Sequence, residues 1–276
     1  SVGEMENHRV GDAAEVARLG IMAGLDMDMG SRRYLQQLMK LIKDKKVPMS
    51  QIDASVRRIL EMKYRLGLFD DPYRYLKLQK DASRQADILS DAHVNEARRF
   101  AAECIVLLKN EGNLLPLEGQ KNIAVIGPIG NDVSQLFGTW STKPDGRKSH
   151  TVAQALQLAF PNSNIMYEKG CEETEGYGDY YSGSTSAKSE PLIAQAVETA
   201  KKADVVVACV GEPGSWSGEA NSRVDICIPP CQKKLLKSLK ETGKPVVVVV
   251  FGGRPLILAD EDRNFPAIVE AWHGGT

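Results

Sequence analysis

The sequence predicts an α/β protein built on a doubly wound, mostly parallel sheet. Two observations carry that reading. Short apolar runs at 205–210 and 246–251 are nearly continuous and bounded by charged residues, Gly or Pro, the pattern of strands buried on both faces. From residue 122 onward such runs alternate with stretches of helical periodicity, and that alternation builds a parallel sheet covered on both sides.

The N-terminal third reads differently. Residues 21–29 (IMAGLDMDM) are predicted as a helix end and a short strand, because Gly24 interrupts a run that passes from helical spacing to alternation. Leu35, Leu38, Met39 and Ile42 stand at i, i+3, i+4 and i+7, so a helix follows. A second helix opens at Ser50, with Asp53 placed as in a capping box. It carries Ile52, Val56, Ile59 and Leu60 on one face and stops at Gly67. One strand and two helices enclose too little core to stand alone, so this segment is expected to lean on something further.

From Phe69 to about Asp91 the chain is polar, with Pro72 near the start, and reads as a linker. Beyond it the spacing predicts a long helix over 92–110, turning Val94, Ala97, Ala101, Cys104, Ile105 and Leu108 toward a core. Then come strand 123–126, helix 152–158, strand 165–167, helix 191–201, strand 205–210, helix 231–242, and strands 246–251 and 267–271.

Bulk properties narrow the chemistry. At 276 residues the chain exceeds what one core usually serves, so two domains, or one with part of another, are expected. With 42% hydrophobic and 26% charged residues it has a globular composition, and no apolar run approaches a bilayer span. A net charge of −1, with both signs interspersed, gives no footprint for nucleic acid or anionic lipid; a neutral substrate fits best. The five cysteines lack metal spacing, since the pair Cys227 and Cys231 has no second pair beside it; they read as buried thiols. His8, His93, His150 and His273 are scattered and form no triad. Strand 123–126 is followed by G-x-x-G with Pro128 inside it, which is not a dinucleotide fingerprint, so no cofactor is implied. Gly252-Gly253-Arg254-Pro255 reads as a tight turn with a structural Arg, and Asp26–Met29 as hydrogen-bonded Asp with packing methionines. The chain starts at Ser1 without an initiator Met or a signal-like segment, and is expected to have been processed or cut.

In doubly wound sheets ligands lie beyond the carboxyl ends of the strands. The loop there after strand 205–210 is GEPGSWSGEANSRVD, holding Glu212, Glu219, Trp216 and Arg223. Spacing alone leaves two readings open: a solvated loop, or a loop presenting a carboxylic acid with Trp216 available to stack on a sugar.

A set of spaced motifs resembles glycoside hydrolase family three, in its bacterial periplasmic β-glucosidase branch. They are AGLDMDM (23–29), IDASVRRILEMKYRLGLFDDPY (52–73), EARRFAAECIVLLKNEGNLLPL (96–117), IAVIGP (123–128), GTWS (138–141), ADVVVACVGE (203–212), GEANSRVDICIP (218–229) and GKPVVVVVFGGRPL (243–256), in the family's order and over nearly the whole chain. The resemblance implies a (β/α)8 barrel, a linker and a six-stranded αβα sandwich, with the active site between barrel and sandwich. On that basis residues 1–70 resemble the last strand and helices of a truncated barrel, 71–91 the linker and 92–276 a C-terminally incomplete sandwich.

It further implies a retaining two-carboxylate double displacement on β-glucosides or short β-linked gluco-oligosaccharides, without metal or cofactor. Glu219 matches the acid/base; Glu212, nearer the strand end, is the second candidate and looks structural in the family. Trp216 is expected to bind substrate, and Arg223 to orient the loop or meet the sugar. The nucleophilic Asp is expected about three residues before Ser1. The fragment alone is therefore expected to be inactive. A periplasmic or secreted location follows from the resemblance only, and no membrane insertion or nucleic-acid partner is expected. The alternatives are a non-catalytic carbohydrate-binding or assembly module, and a β-xylosidase of the same family.

Overall fold

The computed structural model describes residues 1–77, 89–141, 144–174, 188–219 and 221–275. The chain forms two compact units, Ser1–Ala86 and Asp87–Thr276.

The first unit is helical: α1 (Val2–Asn7), α2 (Ala13–Met22), α3 (Arg33–Lys43), α4 (Met49–Arg65) and the single turn α5 (Arg74–Lys77). Asp12 starts α2 by accepting from the Glu15 amide at 2.8 Å. Ala17, Ile21, Leu41 and Val47 form a small core against Tyr34, Leu38, Ile42 and Ile52.

Three expectations are corrected here. Residues 25–29 form no strand, since among the described residues no neighbour supplies the ladder hydrogen bonds that define one. Asp26 instead pairs with Arg58, whose guanidinium holds its carboxyl below the usual range, and Asp28 caps α3 by accepting from the Arg33 amide at 2.6 Å and the Ser31 hydroxyl. Met27 and Met29 are 70% and 84% exposed in this chain and pack against none of its core. The predicted helix faces also split: Leu38 and Ile42 turn inward while Leu35, Met39, Val56 and Leu60 are exposed, and α4 begins at Met49 behind Pro48 without a side-chain cap from Ser50.

The second unit is the predicted doubly wound sheet. In chain order it has α6 (Asp91–Cys104), β1 (Val106–Asn110), β2 (Asn122–Ile126), α7 (Val152–Ala159), β3 (Asn164–Glu168), α8 (Ser189–Lys202), β4 (Val205–Gly211), α9 (Pro230–Lys240), β5 (Val246–Phe251), α10 (Ala259–Asn264) and β6 (Ala267–Glu270). The strand order is β1-β6-β5-β4-β2-β3; β1 runs antiparallel to β6 and the other neighbours are parallel. Thr151 and Gln154 close a reciprocal capping box on α7.

The long helix predicted over 92–110 is two elements. It ends at Cys104, and Val106–Asn110 pairs with β6, Val106 opposite Glu270. A short apolar run such as Val106-Leu107-Leu108 fits either period, and here the sheet edge decides. None of the residues of α6 is buried, and Cys104 is exposed, against the expectation of a buried thiol. Cys171, Cys209 and Cys231 are buried and Cys227 is partly so, and the Cys231 thiol donates to the Glu172 carbonyl at 3.1 Å.

The core lies on both faces of the sheet. Val206, Ala208 and Val210 of β4 face one layer with α8 and α9; Val205, Val207 and Cys209 face the other with Ala153 of α7. Every residue of β4 is buried, which explains why its sequence shows no polar alternation. No helix among the described residues is long and apolar enough to cross a membrane.

Glu270 ends β6 inside this core, near the Trp272 amide at 3.3 Å, and burial pushes its carboxyl up to about 7 from an ordinary 4.5. Between those values an unfolded chain loses the proton while the folded chain keeps it. The stability that Glu270 contributes is therefore fully present in acid, below its unfolded value, and is lost as pH rises through about 7. Glu270→Gln is expected to abolish that fall and to add on the order of 2 kcal/mol at pH 8, measured as urea midpoints at pH 5 and pH 8.

Candidate functional site

The loop singled out in the sequence leaves the carboxyl end of β4, the position between β2 and β5 in the sheet. Its exit is fixed by backbone geometry. Gly211 has φ +131, and a Cβ there would overlap the Phe251 carbonyl of β5. Gln232 on α9, fully buried, accepts from the Gly211 amide at 2.7 Å and donates to the Gly211 carbonyl at 2.9 Å. The Glu212 amide then donates to the Phe251 carbonyl at 2.8 Å.

Glu212 points inward and is 1% exposed. One carboxylate oxygen meets Arg223 Nη1 and the other meets Arg254 Nε at 3.0 Å. A carboxylate at this depth is tolerable only when paired and hydrogen-bonded, and removal of either arginine would leave one of its buried oxygens without that partner. The arginines also hold the loop. Arg223 stacks over the Trp216 ring at 4.5 Å and reaches the Cys227 carbonyl at 3.4 Å; Arg254 Nη2 donates to the carbonyls of Trp216 and Asn221, the latter at 2.8 Å.

After Pro213 the chain makes a 3-10 turn at Gly214–Trp216. The Thr139 hydroxyl lies against the carbonyls of Gly214, at 2.6 Å, and Ser217. Glu219 follows on the outer side of the turn and is exposed; the Asn221 side-chain amide donates to the carbonyls of Ser217 (3.2 Å) and Glu219 (3.3 Å). The loop's two glutamates thus meet opposite fates, Glu212 sealed in an ion cluster and Glu219 facing out.

Beside this loop lies a cleft of about 510 Å³, lined by Gln135, Phe137, Thr139, Glu173, Pro213 and Ser215 among others. Burial pushes the Glu173 carboxyl upward, and Gln135 links it to the loop by donating to Glu173 Oε1 at 3.4 Å and accepting from the Gly214 amide at 3.3 Å. His273, after β6, sits with Nδ1 3.2 Å from the Gln135 carbonyl, and burial holds its pKa below the usual value. Among the described residues no group of three His, Cys, Asp or Glu could hold a metal ion.

Sequence reasoning found the loop, Glu212, Glu219, Trp216 and Arg223, and read Arg254 as structural. It missed Thr139, Gln135, Gln232 and His273, and it missed that Arg254 binds Glu212. Each of these contacts joins segments that meet only once the strand order is known.

Residues 105–276 match the glycosyl hydrolase family 3 C-terminal domain. The chain is 40% identical to a periplasmic β-glucosidase of Salmonella typhimurium over 274 residues, covering 96% of this chain and 36% of that protein. It is 33% identical to a β-xylosidase of Formosa agariphila, covering 99% and 38%. Crystal structures of a β-glucosidase from Listeria innocua, in complex with isofagomine and with glucose, match with TM-scores of 0.81 and 0.80 at 32% identity, over 100% of this chain and 36% and 35% of that one. The chain thus spans little more than a third of the length of these curated relatives.

The exit of β4 gives a direct test of the loop's foundation. Gly211→Ala forces a side chain into the Phe251 carbonyl and is expected to cost about 3 kcal/mol or more in urea unfolding, whereas alanine at the unobstructed Gly274 should cost far less.

Proposed function

The chain belongs to glycosyl hydrolase family 3, and from that premise we propose that it is part of a retaining β-glucosidase, to which it contributes the acid/base carboxyl of Glu219. Residues 1–70 then correspond to the end of a (β/α)8 barrel, 71–91 to a linker and 92–276 to most of an αβα sandwich. A nucleophilic Asp would stand shortly before the segment that begins at Ser1.

One observation supports the choice of Glu219. Of the two glutamates in the loop, Glu212 has both oxygens engaged by arginines in the interior, while Glu219 is exposed on a turn held from behind. A group that must hand a proton to a departing oxygen and later take one from water needs access to both. Glu219 has that access.

In the proposed reaction the two carboxyl groups flank the anomeric carbon about 5–5.5 Å apart. The Asp attacks carbon while Glu219 protonates the glycosidic oxygen, which leaves as an alcohol. Glu219, now ionised, removes a proton from the water that displaces Asp and releases the sugar with its configuration retained. Trp216, partly buried, would meet a sugar with the ring face opposite Arg223, and Arg223 would act by holding that ring and the loop. β-Glucosides and short β-linked gluco-oligosaccharides are the proposed substrates, a reading supported by the glucose complex of the Listeria innocua β-glucosidase. The relative from Salmonella typhimurium, named as periplasmic, supports a periplasmic or secreted location.

The similarity to a β-xylosidase favours one alternative, the same chemistry on a pentose. Hydrolysis of aryl β-glucoside against aryl β-xyloside by the protein with its barrel complete decides between them. In that protein Glu219→Gln is expected to slow glucosides with poor leaving groups by about 100-fold or more, to slow activated aryl glucosides much less, and to be rescued by azide as a glycosyl azide. Glu212→Gln should show no azide rescue. Equal losses for both substrate types, without rescue, would remove Glu219 from the mechanism.

A further inference from the structure

The turn that carries Glu219 is closed from outside its own loop. β4 and β5 are parallel neighbours in register from Val206 opposite Val246 to Gly211 opposite Phe251, so the loops leaving them emerge side by side. Arg254 lies three residues past the end of β5. Its Nε is held by Glu212 at 3.0 Å, and its Nη2 donates to two carbonyls of the neighbouring loop, those of Trp216 and Asn221. Those carbonyls stand three residues before Glu219 and two after it. A single guanidinium nitrogen therefore draws together the two ends of the segment that bears Glu219.

We propose that Arg254, aimed by Glu212, is the positioning residue that sets where Glu219 stands; this rests on the acid/base reading given above. The chemistry favours arginine specifically. The planar guanidinium offers donors in fixed directions, one toward the carboxylate and one toward the carbonyl pair, whereas a lysine ammonium is a point charge on a flexible stem that cannot fix both. The approach is also built for closeness. A side chain at Gly253 would overlap that of Ser217, so the β5 loop touches the Glu219 loop at the residue next to Arg254. Glu212 supplies the other half of the device, because its second oxygen holds Arg223, which covers the Trp216 ring. Two oxygens of one buried carboxylate thus control the sides of the turn through two cations.

The role is separated from general support of the fold by where its loss is felt, in the loop and not in the sheet. The test uses this chain and the protein with its barrel complete. Hydrogen exchange over 213–225 is expected to speed at least about tenfold in both Arg254→Ala and Arg254→Lys, and by more than exchange in β2, β4 and β5. In the complete protein both variants should lose about 10- to 100-fold in kcat on poor leaving groups, keep KM within about threefold, and lose less on activated aryl glucosides. Millimolar guanidinium should restore part of the loss in Arg254→Ala and none in Arg254→Lys. Wild-type exchange in the loop, or a loss independent of the leaving group in a protein whose Glu219→Gln variant does show leaving-group dependence, would overturn the proposal. If Glu219→Gln itself lacks that dependence, the acid/base reading falls, and loop exchange alone decides whether Arg254 holds the turn.

Discussion

A carboxylate at the carboxyl end of the central strand can remain in the interior only because two guanidiniums, carried by different segments, close on it. Glu212 is that carboxylate, and the form of the whole loop end follows from satisfying it. Arg223 must fold back over eleven residues to reach it, which turns the intervening segment outward. Arg254 must come from β5, which ties that segment to a second strand. The exposure of Glu219 is the other side of the same constraint, for the chain that bends around a buried acid presents its next glutamate to the outside.

The sheet makes this cluster possible by bringing two loop origins together. β4 and β5 are buried on both faces, so their register is set by packing in two layers at once, and a slip of one residue would exchange the layers. Gly211 then allows the chain to pass the Phe251 carbonyl at a distance no side chain would permit. Rigid strands below and a cross-tied loop above are what a group needs if its carboxyl is to be held in one place.

Much of this frame was readable in the residues. The runs at 205–210 and 246–251 have no other reasonable reading, and the loop between Gly211 and Asp225 stood out because it gathers carboxylates, an aromatic and a cation where ligands gather. Three features were not. Val106–Asn110 looked like the continuation of α6, because three apolar residues in a row do not distinguish a helix turn from an edge strand, and only pairing with β6 decides it. The partnership of Glu212 with Arg254 spans 42 positions in sequence and depends on β5 lying beside β4, an order that no local pattern encodes. Likewise the DMDM segment has the composition of a strand, but a strand exists only where a second segment pairs with it.

Gln232 has a consequence for motion. Its side-chain amide presents an acceptor and a donor to Gly211 as an adjoining backbone would, so it serves as a surrogate rung on the flank of β4 that β2 is too short to cover. That rung welds the first turns of α9 to the strand tip. The loop is thereby anchored at its root by Gln232 as well as higher up, where Thr139 and Arg254 hold the carbonyls of Gly214, Trp216, Ser217 and Asn221. A loop pinned at both levels trades sweep for accuracy.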